Sequence, residues 1–318
     1  MKLASFRADG ADRIGIEVAG GVADIAELID SPGDMIQLIG LGSEKLAELA
    51  AKVSSADSAN LTIYPLDAIE WLPPVRTPSK VVCIALNNRS LDAIKINAPT
   101  DHPAFFLKPY TALTGHRTAI RMKEKFGFTH PEPELAVVVG ITLRDATPDE
   151  AIAAVFGYSV LNDITCVDMR NEDSFSLRYF RPEGDGVVED VAHTTYPGRY
   201  KASDTFAPMG PWLVTADEIP DPAALSIQCW MDDRLVASDH TRNYVWSVAN
   251  ALSHISQTMT LLPGDVVSMG TAVGGDQDDP DRPHIPGVTR CNINGFGGEI
   301  IAEISGIGTL INTVSRRS

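Results

Sequence analysis

The chain has 318 residues, with 26 Lys and Arg against 42 Asp and Glu, for a formal net charge of −16 and a pI near 4.8. Such a field excludes nucleic acid and anionic membrane as partners. A content of 44% hydrophobic and 21% charged residues is that of an ordinary globular chain, long enough for one large domain and a small one. The four cysteines (Cys83, Cys166, Cys229 and Cys291) are far apart with no CxxC pair, which reads as reduced thiols in a cytoplasmic protein. The first residues turn polar too soon for a signal peptide, and no apolar run reaches membrane-spanning length.

Residues 1–72 read as a small N-terminal α/β module. Leu3–Phe6 and Ile14–Val18 alternate as hairpin strands around Asp9-Gly10, and Val22–Ile25 adds a third. Helical patterns follow over Asp34–Leu41 and Ser43–Val53, with Ser43 as N-cap of the second. A proline-rich joint from Trp71 to Pro78 marks the boundary, and residues 73–318 form the second, larger domain.

That domain opens with Lys80–Leu86, a buried-type strand leading to Asn87-Asn88-Arg89-Ser90. Pro103–Pro109 is an apolar strand that delivers Lys108 at its end, and Gly115-His116-Arg117 occupies the next loop. Glu132-Pro-Glu134 then opens a β-branched run to Gly140. In a strand, side chains at i and i+2 share a face, so both carboxylates are expected on one side. Thr147 as N-cap and Pro148 at N1 start a short helix, after which Gly157–Asp163 is a second strand ending on an acid. Residues 171–200 are polar and turn-rich, which predicts a long irregular loop acting as a lid. Lys201–Phe206 leads into Pro208–Val214, and Leu225–Asp232 with Arg234–Asp239 reads as a tight hairpin. Tyr244–Met259 is the one strongly amphipathic helix. Leu261–Thr271, a Gly/Asp loop and two strands within Gly298–Val314 complete the chain.

Three carboxylates on neighbouring strand ends repel unless a positive charge sits among them. Oxygen-only ligation by Glu132, Glu134 and Asp163 points to a hard divalent cation, Mg²⁺ or Mn²⁺ rather than zinc. His102, His130, His193, His240, His254 and His284 share no spacing and read as structural. No Gly-x-Ser-x-Gly elbow and no phosphate-binding glycine loop is present.

Over about residues 78–314 the motifs resemble the fumarylacetoacetate hydrolase superfamily. They are Glu132-Pro-Glu134 through Gly140, Gly157–Asp163, Lys201–Phe206, Pro208–Trp212, Leu262–Asp265, Met269-Gly-Thr271 and Gly306–Asn312. The resemblance implies a mostly β, α+β fold built as a mixed β-sheet roll, usually a homodimer. It also implies one Mg²⁺ or Mn²⁺ per subunit and chemistry on small 2-oxo or 2,4-dioxo acids. Glu132, Glu134 and Asp163 match the metal ligands, Lys201 the active-site lysine, and Thr271 the hydroxyl that meets the substrate carboxylate. His116 is a further catalytic candidate, and Lys108, Asn87 and Arg170 are candidates for holding substrate.

One departure bears on the reaction. Family hydrolases carry Asn-Tyr-x-x-His-x-x-Glu after the strand corresponding to Lys80–Leu86, and that dyad activates water. Here Leu91 and Ile94 take the places of the histidine and glutamate. After Asp163, Thr165-Cys-Val-Asp168 replaces the frequent Ser/Thr-Ala-Arg-Asp. Pro131-Glu-Pro-Glu134, Gly115-His116 and Gly270-Thr-Ala272 are similar to the branch containing 2-keto-3-deoxy-D-arabinonate dehydratase. The expected function is therefore lyase chemistry of the hydratase/dehydratase type on a 2-keto-3-deoxy acid, through an enolate held at the metal. The alternatives are acylpyruvate C–C hydrolysis and 2-oxo acid tautomerisation, with a non-enzymatic binding protein ranked last. A base replacing the dyad is sought first in His116, then in Glu172.

Overall fold

The structure, a computed structural model, describes residues 1–30, 32–55, 61–95, 98–274 and 291–317, without the side chains of Ala93, Ile94 and Arg317. The Gly/Asp stretch after Gly274 and His284 within it lie outside the described residues. The N-terminal module contains β1 (Lys2–Ala8), β2 (Ala11–Val18), β3 (Gly21–Asp24), β4 (Ile63–Tyr64) and β5 (Glu70–Leu72). Asp9 and Gly10 both have positive φ, 51° and 74°, the backbone a two-residue hairpin turn of matching twist requires. Helix α1 (Met35–Gly40) is capped by Asp34, whose carboxylate accepts from Gln37 N at 2.9 Å. Helix α2 (Gly42–Ser55) begins at Gly42, one residue before the expected Ser43 cap, so Ser43 lies inside its first turn.

The remaining strands are β6 (Val81–Ala85), β7 (Ala104–Lys108), β8 (Leu113–Thr114), β9 (Ala119–Lys123), β10 (Thr129–His130), β11 (Pro133–Val139), β12 (Val155–Asn162) and β13 (Thr165–Cys166). They continue with β14 (Ser174–Glu183), β15 (Gly186–Thr195), β16 (Ala207–Thr215), β17 (Ser226–Met231), β18 (Arg234–His240), β19 (Val266–Thr271), β20 (Glu299–Ile304) and β21 (Gly308–Arg317). The main sheet runs β4-β3-β2-β1-β16-β12-β11-β19-β6-β7, and a second runs β18-β17-β20-β21-β9. The fold is the expected mostly β, mixed-sheet architecture. Pairing of β1 with β16, Leu3 opposite Leu213, carries the main sheet without a break from the N-terminal module into the rest of the chain.

Every residue of β11 and β12 is buried. One core cluster fills the space between the sheets; the other lies on the opposite face of the main sheet, where Leu38, Ile39 and Leu49 of α1 and α2 cover Val81, Ala136 and Leu213. Side chains at the ends of β11 and β12 therefore enter a low-dielectric interior, where charge–charge terms are strong.

Two expectations are corrected. Residues 171–200 are not an irregular loop. They hold the end of α4 (Val167–Glu172), a ribbon of two ten-residue antiparallel strands β14 and β15, and the start of α5 (Arg199–Ala202). Phe175, Leu177 and Tyr179 alternate along one face of this exposed ribbon, with Thr194, Ala192 and Asp190 across from them. The amphipathic helix is also shorter than expected: α6 spans Val248–Ser256 and starts only after Ser247, whose hydroxyl accepts from Asn250 N at 3.2 Å. Its expected first turn is diverted, because Asn87 takes both backbone groups of Trp246 (Oδ1 from N at 2.7 Å, Nδ2 to O at 3.1 Å). Helix α3 (Pro148–Ala153), by contrast, has the expected Thr147 cap, completed by Glu150 into a capping box. We predict that Ser247→Ala lowers unfolding free energy by about 1 kcal/mol in urea titration, the usual value of a lost N-cap. No change would mean that α6 does not depend on its cap.

Candidate active site

Strands β11 and β12 are antiparallel with Pro133 opposite Asn162, so the residues just outside that pair, Glu132 and Asp163, meet at one end of the sheet. Their backbones are tied: Asp163 N donates to Glu132 O at 2.8 Å, and Glu132 N donates to Asn162 Oδ1 at 2.8 Å. Glu134, two residues on, stands opposite Thr271 at the end of β19. Three strand ends thus converge, and one oxygen from each of Glu132, Glu134 and Asp163 lies within 4.8 Å of the others.

Two lysines enter this cluster. Lys201 Nζ bridges Glu132 Oε2 at 2.6 Å and Asp163 Oδ2 at 2.5 Å. Lys108, whose side chain is fully buried, lies 2.6 Å from Asp163 Oδ1 and donates to Phe206 O at 2.8 Å and to Lys201 O. Lys108 therefore holds both a carboxylate and the backbone of the segment that carries Lys201. Among the described residues Glu134 has no ammonium in ion-pair contact; Oε2 accepts from Ser268 Oγ at 2.5 Å and Gly270 N at 3.1 Å. Gly270 has φ 98°, and a Cβ there would sit 2.9 Å from Asn87 Cβ, so only glycine brings that N–H to the carboxylate.

Ionised together, the three carboxylates would outnumber the two ammoniums, and the cluster resolves this by holding a proton on Glu134. Burial opposes ionisation of Glu132, but Lys201 and His130 outweigh it and hold its pKa below the ordinary value. Burial and then the Asp163 charge push Glu134 up to about 8. Burial would depress the Lys201 ammonium too, yet Asp163, Glu132 and Glu134 raise it well above an ordinary lysine. Asp163 Oδ1 is buried and receives no well-aligned hydrogen bond. A hard cation fits this donor set, since it supplies the missing positive charge to oxygen ligands alone.

The other residues singled out by sequence are distributed unevenly. Thr271 lines a small cavity of about 30 Å³ with Glu132, His130, Ala237 and Cys291. Asn87 is spent on structure: besides Trp246, it donates to Met269 O at 2.8 Å. His116 packs edge-on against Trp71, ring centroids 5.3 Å apart, and its Nδ1 accepts from Ile311 N at 3.0 Å. Burial, with Arg117 adding to it, pushes His116 down to about 4. Among the described residues, no hydrogen bond or ion pair joins it to the three carboxylates. Arg170 is half-buried on α4 and, among the described residues, has no carboxylate partner; its charge reaches His130. Leu91 is 4% exposed in a 3-10 turn spanning Arg89–Ile94, while the Ile94 side chain lies outside the described residues.

His130 is the residue that sequence reasoning passed over. Its Nε2 is 3.5 Å from Glu132 Oε1, and it lines the same cavity as Thr271. Its position two residues before Glu132 was the available signal, but pairing of β10 with β13 (His130 opposite Thr165) is what turns it inward. Backbone strain collects nearby. Leu86, before Asn87, has φ 55°, and the β-branched Thr205 of the Lys201–Phe206 motif has φ 69°. At the neck of the ribbon, Arg199 clamps α4 to α5, reaching Asp173 at 2.6 Å and Glu172 at 2.9 Å. Glu172 is thereby engaged in an exposed ion pair.

Comparison with known proteins agrees with this geometry. Residues 80–315 match the family described as Fumarylacetoacetate (FAA) hydrolase C-terminal, and the chain belongs to that family. The 2,4-didehydro-3-deoxy-L-rhamnonate hydrolase of Sphingomonas sp. (strain SKA58) is 30% identical over 248 residues, covering 78% of this chain and 79% of its own. A mitochondrial oxaloacetate tautomerase of Rattus norvegicus is 28% identical over 322 residues, 99% of this chain and 91% of its own. The solved structure of maleylpyruvate hydrolase from Sphingobium sp. SYK-6, in complex with manganese(II) and pyruvate, superposes with a TM-score of 0.73 at 27% identity, over 100% of both chains. These relatives are enzymes acting on oxo acids, as hydrolases or tautomerases, and one of them holds a metal ion. No helix of the described residues is long and apolar enough to cross a membrane, and all four cysteines are buried and free of disulfides.

At pH 8, saturating Mn²⁺ should raise the melting temperature by several degrees, and Glu134→Gln and Asp163→Asn should abolish that shift while far-UV circular dichroism is unchanged. Because Glu134 keeps its proton up to about pH 8, an incoming cation must displace it, so affinity for Mn²⁺ should fall as pH drops from 8 to 6. An equal shift at both pH values, or one retained in Glu134→Gln, would count against this site.

Proposed function

We propose that this chain is a Mg²⁺- or Mn²⁺-dependent lyase of the dehydratase type, acting on a 2-keto-3-deoxy acid by proton transfer at the carbon beside its ketone. The observation that carries this reading is the combination of intact cation and lysine positions with a leucine, Leu91, where a hydrolase of the family holds its water-activating histidine. A leucine takes no proton, so general-base activation of water is lost from that side, a contribution worth about 10²–10⁴-fold. Enolisation needs only the groups on the carboxylate side.

Placement supports the following roles. Glu132, Glu134 and Asp163 would hold the ion, one per subunit, and the ion when bound supplies Lewis-acid polarisation of a substrate carboxylate–ketone pair. Lys201 Nζ donates toward the oxygen on which negative charge develops. Lys108 fixes Asp163 and the Lys201 backbone, a positioning role in place of the substrate contact expected from sequence. Thr271 Oγ1, which donates to Ala272 O at 2.9 Å, exchanges that bond for the substrate carboxylate at the cavity wall, and Arg170 carries a charge for the distal part of the substrate. His130 Nε2, in the cavity beside Glu132, replaces His116 and Glu172 as the group that takes the C3 proton, and it returns that proton to the C4 hydroxyl as the C4–O bond breaks and water leaves. Tautomerisation is the second reading, favoured by the rat relative aligned over 99% of this chain; it shares the proton transfer and lacks only the leaving hydroxyl. A cytoplasmic homodimer is the assembly in keeping with the family.

Steady-state rates on a matched pair, a 2-keto-3-deoxy acid and an acylpyruvate, decide among these. Dehydration should proceed, acylpyruvate cleavage should be slower by about 10²-fold or more, and His130→Gln should lower dehydration by a similar factor. Fast acylpyruvate cleavage with no dehydration would overturn the lyase reading, and oxaloacetate enolisation alone would select the tautomerase.

A further inference from the structure

The Thr271–Val273 wall of the cavity is organised around Asp239, near the end of β18, which no sequence motif singled out. Four donors from three chain segments converge on its two oxygens. Oδ2 accepts from Asn88 Nδ2 at 2.7 Å and from Val273 N at 2.8 Å. Oδ1 accepts from Asn243 Nδ2 at 2.6 Å and from its neighbour His240 N at 2.7 Å. The same Asn88 amide also reaches Thr271 O at 3.3 Å, while Ala272 N donates to Pro133 O at 3.0 Å on the other side. Thr271-Ala-Val273 is therefore pinned between the strand start that carries Glu134 and the carboxylate of Asp239. All three of these residues line the cavity.

We infer that Asp239 is a positioning residue: it sets the Thr271–Val273 wall, and through it the place of the Thr271 hydroxyl relative to Glu132, Glu134 and Asp163. The inference rests on the reading of Thr271 as the group that meets a 2-oxo acid's carboxylate. The chemistry at this point demands an acceptor with no donor of its own. A carboxylate takes four donors on two oxygens; an asparagine of the same shape must turn its NH₂ toward one of the two pairs, and donor then faces donor. Asp239→Asn thus releases either Asn88 and Val273 or Asn243 and His240 without leaving a hole. A wall held by backbone packing alone would not register so small a change.

The test uses the full-length protein loaded with Mn²⁺, with oxalate as the probe, beside steady-state kinetics on whichever 2-oxo acid turns over best. Asp239→Asn should weaken oxalate binding and raise KM about tenfold, the usual scale for a group that orients a site residue, with kcat and Mn²⁺ affinity within about twofold of wild type. Asn88→Ser, which removes the side-chain link from Asp239 to Thr271 O, should act in the same direction if Asp239→Asn proves poorly folded. In a Thr271→Val background, Asp239→Asn should add less than about twofold, because its effect passes through that hydroxyl. An unchanged KM in Asp239→Asn, or an equal loss in both backgrounds, would overturn the positioning role. Should Thr271→Val itself bind oxalate as wild type does, the reading of Thr271 fails, and the inference falls with it.

Discussion

Everything at the candidate site follows from three carboxylates held in a dry place with too little positive charge. Glu132, Glu134 and Asp163 sit at the ends of two strands that are buried along their whole length. Lys201 and Lys108 offset part of the repulsion by pairing with Glu132 and Asp163, and among the described residues Glu134 forms a direct ion pair with neither. With all three carboxylates ionised, a divalent cation would leave the cluster with one net positive charge, which the carboxylate of the proposed 2-oxo acid would neutralise.

The surrounding structure maintains this imbalance rather than relieving it. Lys108 is tied to Asp163 and to the backbone at Lys201 and Phe206, so the Lys201 segment cannot swing away to solvate its acids. Gly270 brings its N–H against Glu134 where any side chain would collide with Asn87. Asn87 in turn stops α6 from extending backward and joins its entrance to the end of β19. Left-handed backbone at Leu86 and Thr205 falls in the same two segments. Strain of about 1–3 kcal/mol at each such position is tolerable only where neighbours over-determine the conformation.

Much of this was legible in the sequence. The spacing of Glu132 and Glu134, the acid closing Gly157–Asp163 and the Lys201–Phe206 motif identified the carboxylates and their lysine, because strand periodicity and motif order are local properties. What was illegible depended on partners distant in the chain. Asn87 and His116 looked available for substrate, yet Trp246 and Met269 occupy the one and Ile311 with Trp71 the other. His130 looked inert until β13 paired with its strand. Residues 171–200 were misread because Gly184, Gly186 and Pro182 dominate the local pattern. The alternation Phe175, Leu177, Tyr179 was the strand signal beneath it. Helix α6 lost its first turn to a side chain some 159 positions away, which no window of sequence contains.

The central claim is that the three carboxylates and a 2-oxo acid share one cation. Electron paramagnetic resonance of the Mn²⁺-loaded protein with ¹⁷O-labelled oxalate addresses it directly. The account predicts one Mn²⁺ per chain, manganese lines broadened by the labelled oxygen, and loss of that broadening in Thr271→Val when oxalate is below saturation. Manganese lines unchanged by labelled oxalate that is demonstrably bound would place ligand and metal apart, and would contradict the account.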